Sequence, residues 1–212
     1  MKHLYRPIPH IQQPKNSNLC GAACLQMLYT SYGISLTLDE IWEQVQERDK
    51  NTGRLNCHTY RMARHALSLG LKAMVVVCED SLRVIQTCLE SNIDVIALYR
   101  VNIISPLGHY SVITGMDNKG IYLNDPWLDA SKGKNRIVKP IDFVQLLRPI
   151  PGSELVSPNV LLLIAPPGVA STSMASLRHD DCVQDVEFFD AIAPLQPLLV
   201  CLEHDRYFSS NA

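Results

Sequence analysis

Three short stretches of this chain hold side-chain types that could share one reaction: Cys20-Gly21-Ala22-Ala23-Cys24, Gly108-His109-Tyr110 and Asn124-Asp125-Pro126-Trp127. A thiol is a poor nucleophile until it loses its proton, and a helix N-terminus, with its unpaired N–H groups and dipole, favours the thiolate. Cys20, Ala23, Cys24, Met27 and Leu28 recur at helical spacing and Gly33 supplies a stop, which predicts Cys20 on the first turn of a helix. The small residues after it would let a substrate backbone approach the sulfur, so Gly21 is a candidate substrate contact. Inert burial is the commoner fate of a cysteine in apolar sequence, and Cys20 alone would not define a site.

His109 opens an alternating stretch, Gly108 to Gly115, suited to a strand facing a core. A histidine on such a rigid element can present its ring to a neighbouring helix terminus, as a thiol–imidazole pair requires. The next strand candidate, Ile121 to Asn124, follows an Asp117-Asn118-Lys119-Gly120 turn. If the two pair as a hairpin, Asp125 lies near His109 and can accept its ring N–H, which sets tautomer and orientation. Upstream of Cys20, Gln13 has an amide N–H to offer a developing oxyanion beside the backbone N–H of Cys20, with Gln12 competing for the role. Trp127, just beyond Asp125, is a candidate cleft wall, and Gly108 a second small residue beside the base.

Helices are predicted from Cys20, from Leu38 behind a Thr37/Glu40 capping box, from His58 to Leu69 with Gly70 as stop, and after an Asp80 N-cap. Strands are predicted over Lys72–Cys78, Asp94–Arg100, His109–Gly115, Ile121–Asn124 and Val160–Ile164, with a short helix from Ile141 to Leu147. Helices first and an antiparallel sheet second make an α+β domain. Residues 1–166 read as that domain. After Pro166-Pro167-Gly168 the composition shifts, and residues 167–212 read as a partly irregular appendage with a short helix over Asp185–Ile192 and a strand over Leu198–Leu202.

Net charge is -2 with no long run of either sign, which gives no footprint for nucleic acid or an anionic membrane. No apolar stretch approaches the roughly 20 residues a membrane-spanning helix needs, and the first residues hold no apolar h-region. The seven cysteines are scattered at irregular spacing. That argues against a disulfide framework and against a structural zinc site, and points to a reduced compartment, the cytoplasm. His179-Asp180-Asp181 reads as a solvated acidic stretch, and His58 and His65, on one predicted helix, as surface or satisfied core residues. Oligomeric state is not legible.

Ile8 to Gln13, Cys20 to Leu25, Gly108-His109-Tyr110 and Asn124-Asp125-Pro126 together resemble the C39 and C39-like cysteine peptidases over roughly residues 5 to 165. The resemblance implies a papain-like fold, a Cys20–His109–Asp125 triad and Gln13 in the oxyanion hole. It also implies a peptide or protein substrate and no metal or organic cofactor. The free-standing C39-like group is the nearer likeness, rather than the exporters that cleave leader peptides after a Gly-Gly pair. The expected activity is hydrolysis of a peptide or isopeptide bond. Glutamine deamidation or transglutaminase-type acyl transfer would use the same residues, and a binding module on a silent peptidase scaffold would be the non-enzymatic alternative.

Overall fold

The computed structural model describes residues 4–48, 53–151, 158–179, 182–200 and 202, without the side chains of 173–186. After β1 (Leu4–Tyr5), α1 (Cys20–Ser31) begins at the thiol and ends where Gly33 takes a φ of 79°. α2 (Leu38–Val45) starts with the reciprocal cap its sequence announces: Thr37 accepts from the Glu40 N–H, and the Glu40 carboxylate accepts from the Thr37 N–H at 2.7 Å. β2 (Gln46–Arg48) pairs with β3 (Leu55–Cys57), and α3 (Thr59–Ser68) stops before Gly70, φ 76°. β4 (Lys72–Val77) is followed by α4 (Ser81–Glu90), where the Asp80 carboxylate accepts from the Arg83 N–H at 3.0 Å.

Next come β5 (Asp94–Arg100), β6 (Gly108–Met116), β7 (Ile121–Asn124), the single turn α5 (Ala130–Gly133), β8 (Arg136–Val138), α6 (Pro140–Leu146) and β9 (Val160–Ala165). β10 (Ser171–His179) and β11 (Cys182–Phe189) form a hairpin, and β12 (Leu198–Leu199) closes the order. One antiparallel sheet runs β12-β4-β9-β5-β6-β7-β8. β1 pairs with Gly115 and Met116 of β6, beyond the point where β5 leaves that edge.

Both faces of the sheet are buried, and the alternation along each strand sorts them. Val75, Leu162, Ile164, Ile96 and Val112 meet Ala22, Leu25, Ile41, Met62 and Ala66 from α1, α2 and α3. Val76, Leu161, Leu163, Val95 and Ile113 meet Val84, Ile85 and Leu89 of α4 and Phe143 of α6. The sequence-level picture of a helical half laid on a sheet half therefore needs amending to helices on both faces. The all-apolar run Val160-Leu161-Leu162-Leu163-Ile164-Ala165, buried at every position, is the signature of a doubly covered strand.

The helix expected over Asp185–Ile192 is absent; most of that stretch lies in β11, with Phe189 opposite Ser171 and Glu187 opposite Ser173. Val183, Val186, Phe188 and Phe189 are β-branched or aromatic, types that suit a ladder better than a helix. The strand expected over Leu198–Leu202 is present in part, since β12 pairs with Val77 and Val76. Phe189, Ile192 and Leu199 enter the α4-side core. Asp180, Asp181 and Cys201 lie outside the described residues.

The entry segment is held where it can serve a site. Arg6 donates to buried Asp94 through Nε (2.8 Å) and Nη2 (2.9 Å), and the Tyr32 hydroxyl from the end of α1 donates to the same carboxylate. A Cβ on Gly115 would stand 2.4 Å from the Leu4 carbonyl oxygen, so the β1–β6 approach needs glycine there. Gly115→Ala is expected to lower stability by about 1–3 kcal/mol, as overpacking does. Urea unfolding of the two proteins measures it; an unchanged midpoint would mean that β1 is not packed as described.

Candidate active site

α1 starts on Cys20 with Leu19 as N-cap and no side chain capping its N–H groups. The Gly21 and Ala22 N–H groups instead point to the buried Cys57 sulfur. Of the described cysteines whose side chains are placed, Cys20 is half-buried and Cys24, Cys57, Cys78 and Cys88 are buried. Burial, the first cause in each case, pushes all four buried thiols above the usual thiol range; Cys20 nearby raises Cys24 and Cys57 further. These four are thus disfavoured as nucleophiles by their surroundings.

His109 and Tyr99 are register partners across β5 and β6, and their rings meet edge-on at 5.6 Å. The Trp127 ring packs on the imidazole from another side at 5.5 Å. His109 is buried, with one hydrogen bond to the Cys20 side chain and another from Nε2 to Asp125 Oδ1 at 2.8 Å. With Nε2 committed to Asp125, Nδ1 is left for the thiol. Burial alone would lower the imidazole pKa, but the bonds to Asp125 and Cys20 and their charges outweigh it and push it up to about 9.

Asp125 sits just past β7. Its Oδ1 also accepts from the Trp127 N–H at 3.0 Å, and its Oδ2 accepts from Arg136 Nη1 at 2.8 Å. Burial would raise this carboxyl, yet His109, the Trp127 N–H and Arg136 together hold it below the ordinary range. A carboxylate whose folded pKa is depressed stabilises the fold above its unfolded value of about 3.9 and loses that contribution as pH falls through the folded value. Below about pH 4, stability of the wild type is therefore expected to fall more steeply than that of Asp125→Asn. Urea midpoints measured between about pH 2 and 6 test this, and equal acid slopes would contradict it.

The lead-in is strapped to this corner. Asn124 Nδ2 donates to the carbonyls of Ile8 (3.0 Å) and Pro9 (3.2 Å), and His10 Nε2 donates to the Asp125 carbonyl at 2.9 Å. The Gln13 N–H donates to the Pro126 carbonyl at 2.9 Å. Gln13 is buried and Gln12 exposed, so Gln13 is the glutamine that faces inward. Its side-chain NH₂ donates to the Ser17 carbonyl at 2.6 Å, with no bond to Cys20 among the described residues, and its Oε1 is buried without a partner.

The structure thus brings Cys20, His109 and Asp125 into one hydrogen-bonded chain and places Gln13 against the Asp125-Pro126 corner. Trp127, 53% exposed, stands at the rim beside the base. Gly108 pairs with Arg100 at the open end of the hairpin. Gly21 is different: a Cβ there would stand 2.8 Å from Cys57 Cβ and 2.9 Å from Met62 Sδ. Its lack of a side chain lets α1 pack against Cys57 and Met62. Reading the sequence missed Arg136, His10 and Tyr99; Arg136 lies on a three-residue strand with no periodic signal of its own. His65 is half-buried and satisfied, its Nδ1 3.0 Å from the Tyr29 hydroxyl. Among the described residues no three His, Cys, Asp or Glu side chains are grouped to hold a metal, and no helix is long and apolar enough to cross a membrane.

A thiol at a helix N-terminus, met by an imidazole on an antiparallel sheet and backed by a buried carboxylate, is an arrangement found in peptidase domains that use cysteine and histidine. The chain belongs to the C39-like peptidase family, whose model, described as the Peptidase_C39 like family, matches residues 5–147. Among solved structures, a protein described as a C39-like peptidase from Bacillus anthracis matches with a TM-score of 0.62 and 15% identity, over 78% of this chain and 98% of that one. The double glycine motif protease of an AMS/PCAT transporter, solved with its leader peptide, matches with a TM-score of 0.50 and 21% identity over 78% of this chain and 99% of that one. The peptidase domain of Streptococcus ComA, a bi-functional ABC transporter of a quorum-sensing pathway, gives 0.52 and 17% over 74% and 97%. At these identities the likeness is one of fold. Comparison with curated proteins gave no match.

Proposed function

We propose that this protein is a papain-like cysteine peptidase that cleaves a peptide or isopeptide bond through a thioester on Cys20. The observation that carries the reading is the continuous hydrogen-bonded chain from Cys20 through His109 to Asp125. The thiol proton passes to His109 Nδ1, and the sulfur attacks the scissile carbonyl carbon. Asp125 stabilises the imidazolium that results and fixes its orientation. The oxyanion is met by the Cys20 N–H and by the Gln13 NH₂, which donates to the Ser17 carbonyl at 2.6 Å and turns toward the oxyanion the hydrogen of its longer bond to Ser17 Oγ, 3.3 Å. His109 returns the proton to the leaving nitrogen as the C–N bond breaks. It then takes a proton from water, which attacks the thioester and frees the acid and the thiol. These steps call on side chains and water alone.

The substrate is a peptide or protein; the leader peptide held by the AMS/PCAT neighbour supports that class. We take residues 1–166 as the peptidase domain and 167–212 as its appendage, and place the enzyme in the cytoplasm, where its free thiols stay reduced. Incubating the full chain with a mixed peptide library and a glutamine-rich protein, with mass-spectrometric product analysis, tests the reaction class. New peptide termini that depend on Cys20 are expected. Ammonia release without chain cleavage would replace peptidase action by deamidation.

A further inference from the structure

Eight large apolar side chains are exposed among the described residues; three of them, Ile103, Ile104 and Leu107, lie on the β5–β6 connection that leads into His109, and a fourth, Trp127, lies beside its ring. Trp127 packs on the imidazole itself. Leu107 is two residues ahead of the base, and the Val101 N–H bond to its carbonyl, 3.2 Å, carries the β5–β6 ladder past Gly108. Ile103 is 58% and Ile104 82% exposed at the tip of the same connection. Single exposed apolar residues need no explanation, whereas a group of them beside a reactive pair does.

The connection is also held in one shape. The Arg100 guanidinium, 3% exposed, donates to the carbonyls of Arg148 (2.7 Å), Gln145 (2.8 Å), Asn102 (3.0 Å) and Ile103. Asn102 Oδ1 accepts from the N–H groups of Ile104 (3.0 Å) and Ser105 (2.7 Å). A buried cation is thus used to fix a loop whose apolar side chains face water, and a fixed loop binds without the ordering cost a mobile one would incur.

Resting on the peptidase reading, we propose that Ile103, Ile104 and Leu107, with Trp127, select substrates carrying bulky apolar residues just after the scissile bond. His109 must reach the leaving nitrogen to protonate it, so the part of the substrate on the amine side has to run past His109 and over this surface. The occupant is therefore the first few residues of the amine-side product, with aliphatic or aromatic side chains.

The test follows the Trp127 indole N–H by NMR in full-length protein titrated with two tetrapeptide amides, Leu-Ile-Phe-Gly and Ser-Asn-Gln-Gly, both with free α-amines. The apolar peptide is expected to bind at least about tenfold more tightly. The preference should vanish in an Ile103→Ser, Ile104→Ser, Leu107→Ser variant and shrink in Ile104→Ser alone, a change at a largely exposed position, while Cys20 alkylation stays at the wild-type rate. Equal binding of the two peptides, or a preference that survives the substitutions, would overturn the proposal. A preference found together with a Cys20 whose reactivity ignores His109 would keep this surface and reject the peptidase reading. Cleavage without the preference would do the opposite.

Discussion

Cys20→Ala is expected to lower kcat/KM for peptide-bond cleavage by about 10⁴-fold or more, the scale on which nucleophile removal acts when the members of a triad work as a unit. The fold should persist, because Cys20 stands half-buried on the first turn of α1, whereas Cys24, one turn further on, is fully buried in the core. A thermal midpoint within a few degrees of wild type, alongside the lost turnover, separates chemistry from folding. Turnover within tenfold of wild type would move the chemistry off this thiol, and Cys24, Cys57, Cys78 and Cys88 are each too buried to inherit it.

The second large effect belongs to the base. His109→Ala should cost about 10³-fold or more in kcat, since it removes both the acceptor of the thiol proton and the donor to the leaving nitrogen. The pH profile carries a further signature. The folded imidazole is pushed up to about 9, above its unfolded value of about 6.5, so its proton is held below that pH and lost as pH rises through about 9. Wild-type turnover is therefore expected to fall on the alkaline side near pH 9, with no such limb in the residual activity of His109→Ala. A limb near 6.5 would mean that Asp125 and Cys20 do not hold the proton as their geometry indicates.

Local signals in the sequence were strong where one residue type has one physical use. Thr37 with Glu40, Asp80, Gly33 and Gly70 each mark an element boundary, and the structure uses them so. The hairpin argument brings the end of β7 back along β6 toward His109, but the register that sets Asn124 opposite Val112 depends on a bulge between Ile113 and Gly115 that no local signal announces. What sequence reasoning could not reach depends on distant pairing. Arg136 meets Asp125 only because β8 folds back on β7, and β8 is three residues long. The sheet's burial on both faces depends on β4 joining β9, residues 72–77 against 160–165, a pairing distant in sequence. In β11 no apolar period announces a strand, and pairing with β10 is what sets it. The Gln13 N–H is held by the Pro126 carbonyl, which the sequence does not announce, and the small size of Gly21 is used in packing against Cys57 and Met62.

The central claim is that Cys20 and His109 act as one reactive pair. The most direct test is the iodoacetamide alkylation rate of each cysteine, followed by peptide mass spectrometry from about pH 5 to 10 in the wild type and in His109→Ala. The account predicts that in the wild type Cys20 is alkylated rapidly at about pH 6 while the buried thiols lag, and that His109→Ala slows Cys20 by at least about tenfold at that pH. A Cys20 that reacts no faster than the other cysteines, or equally fast with and without His109, would contradict it.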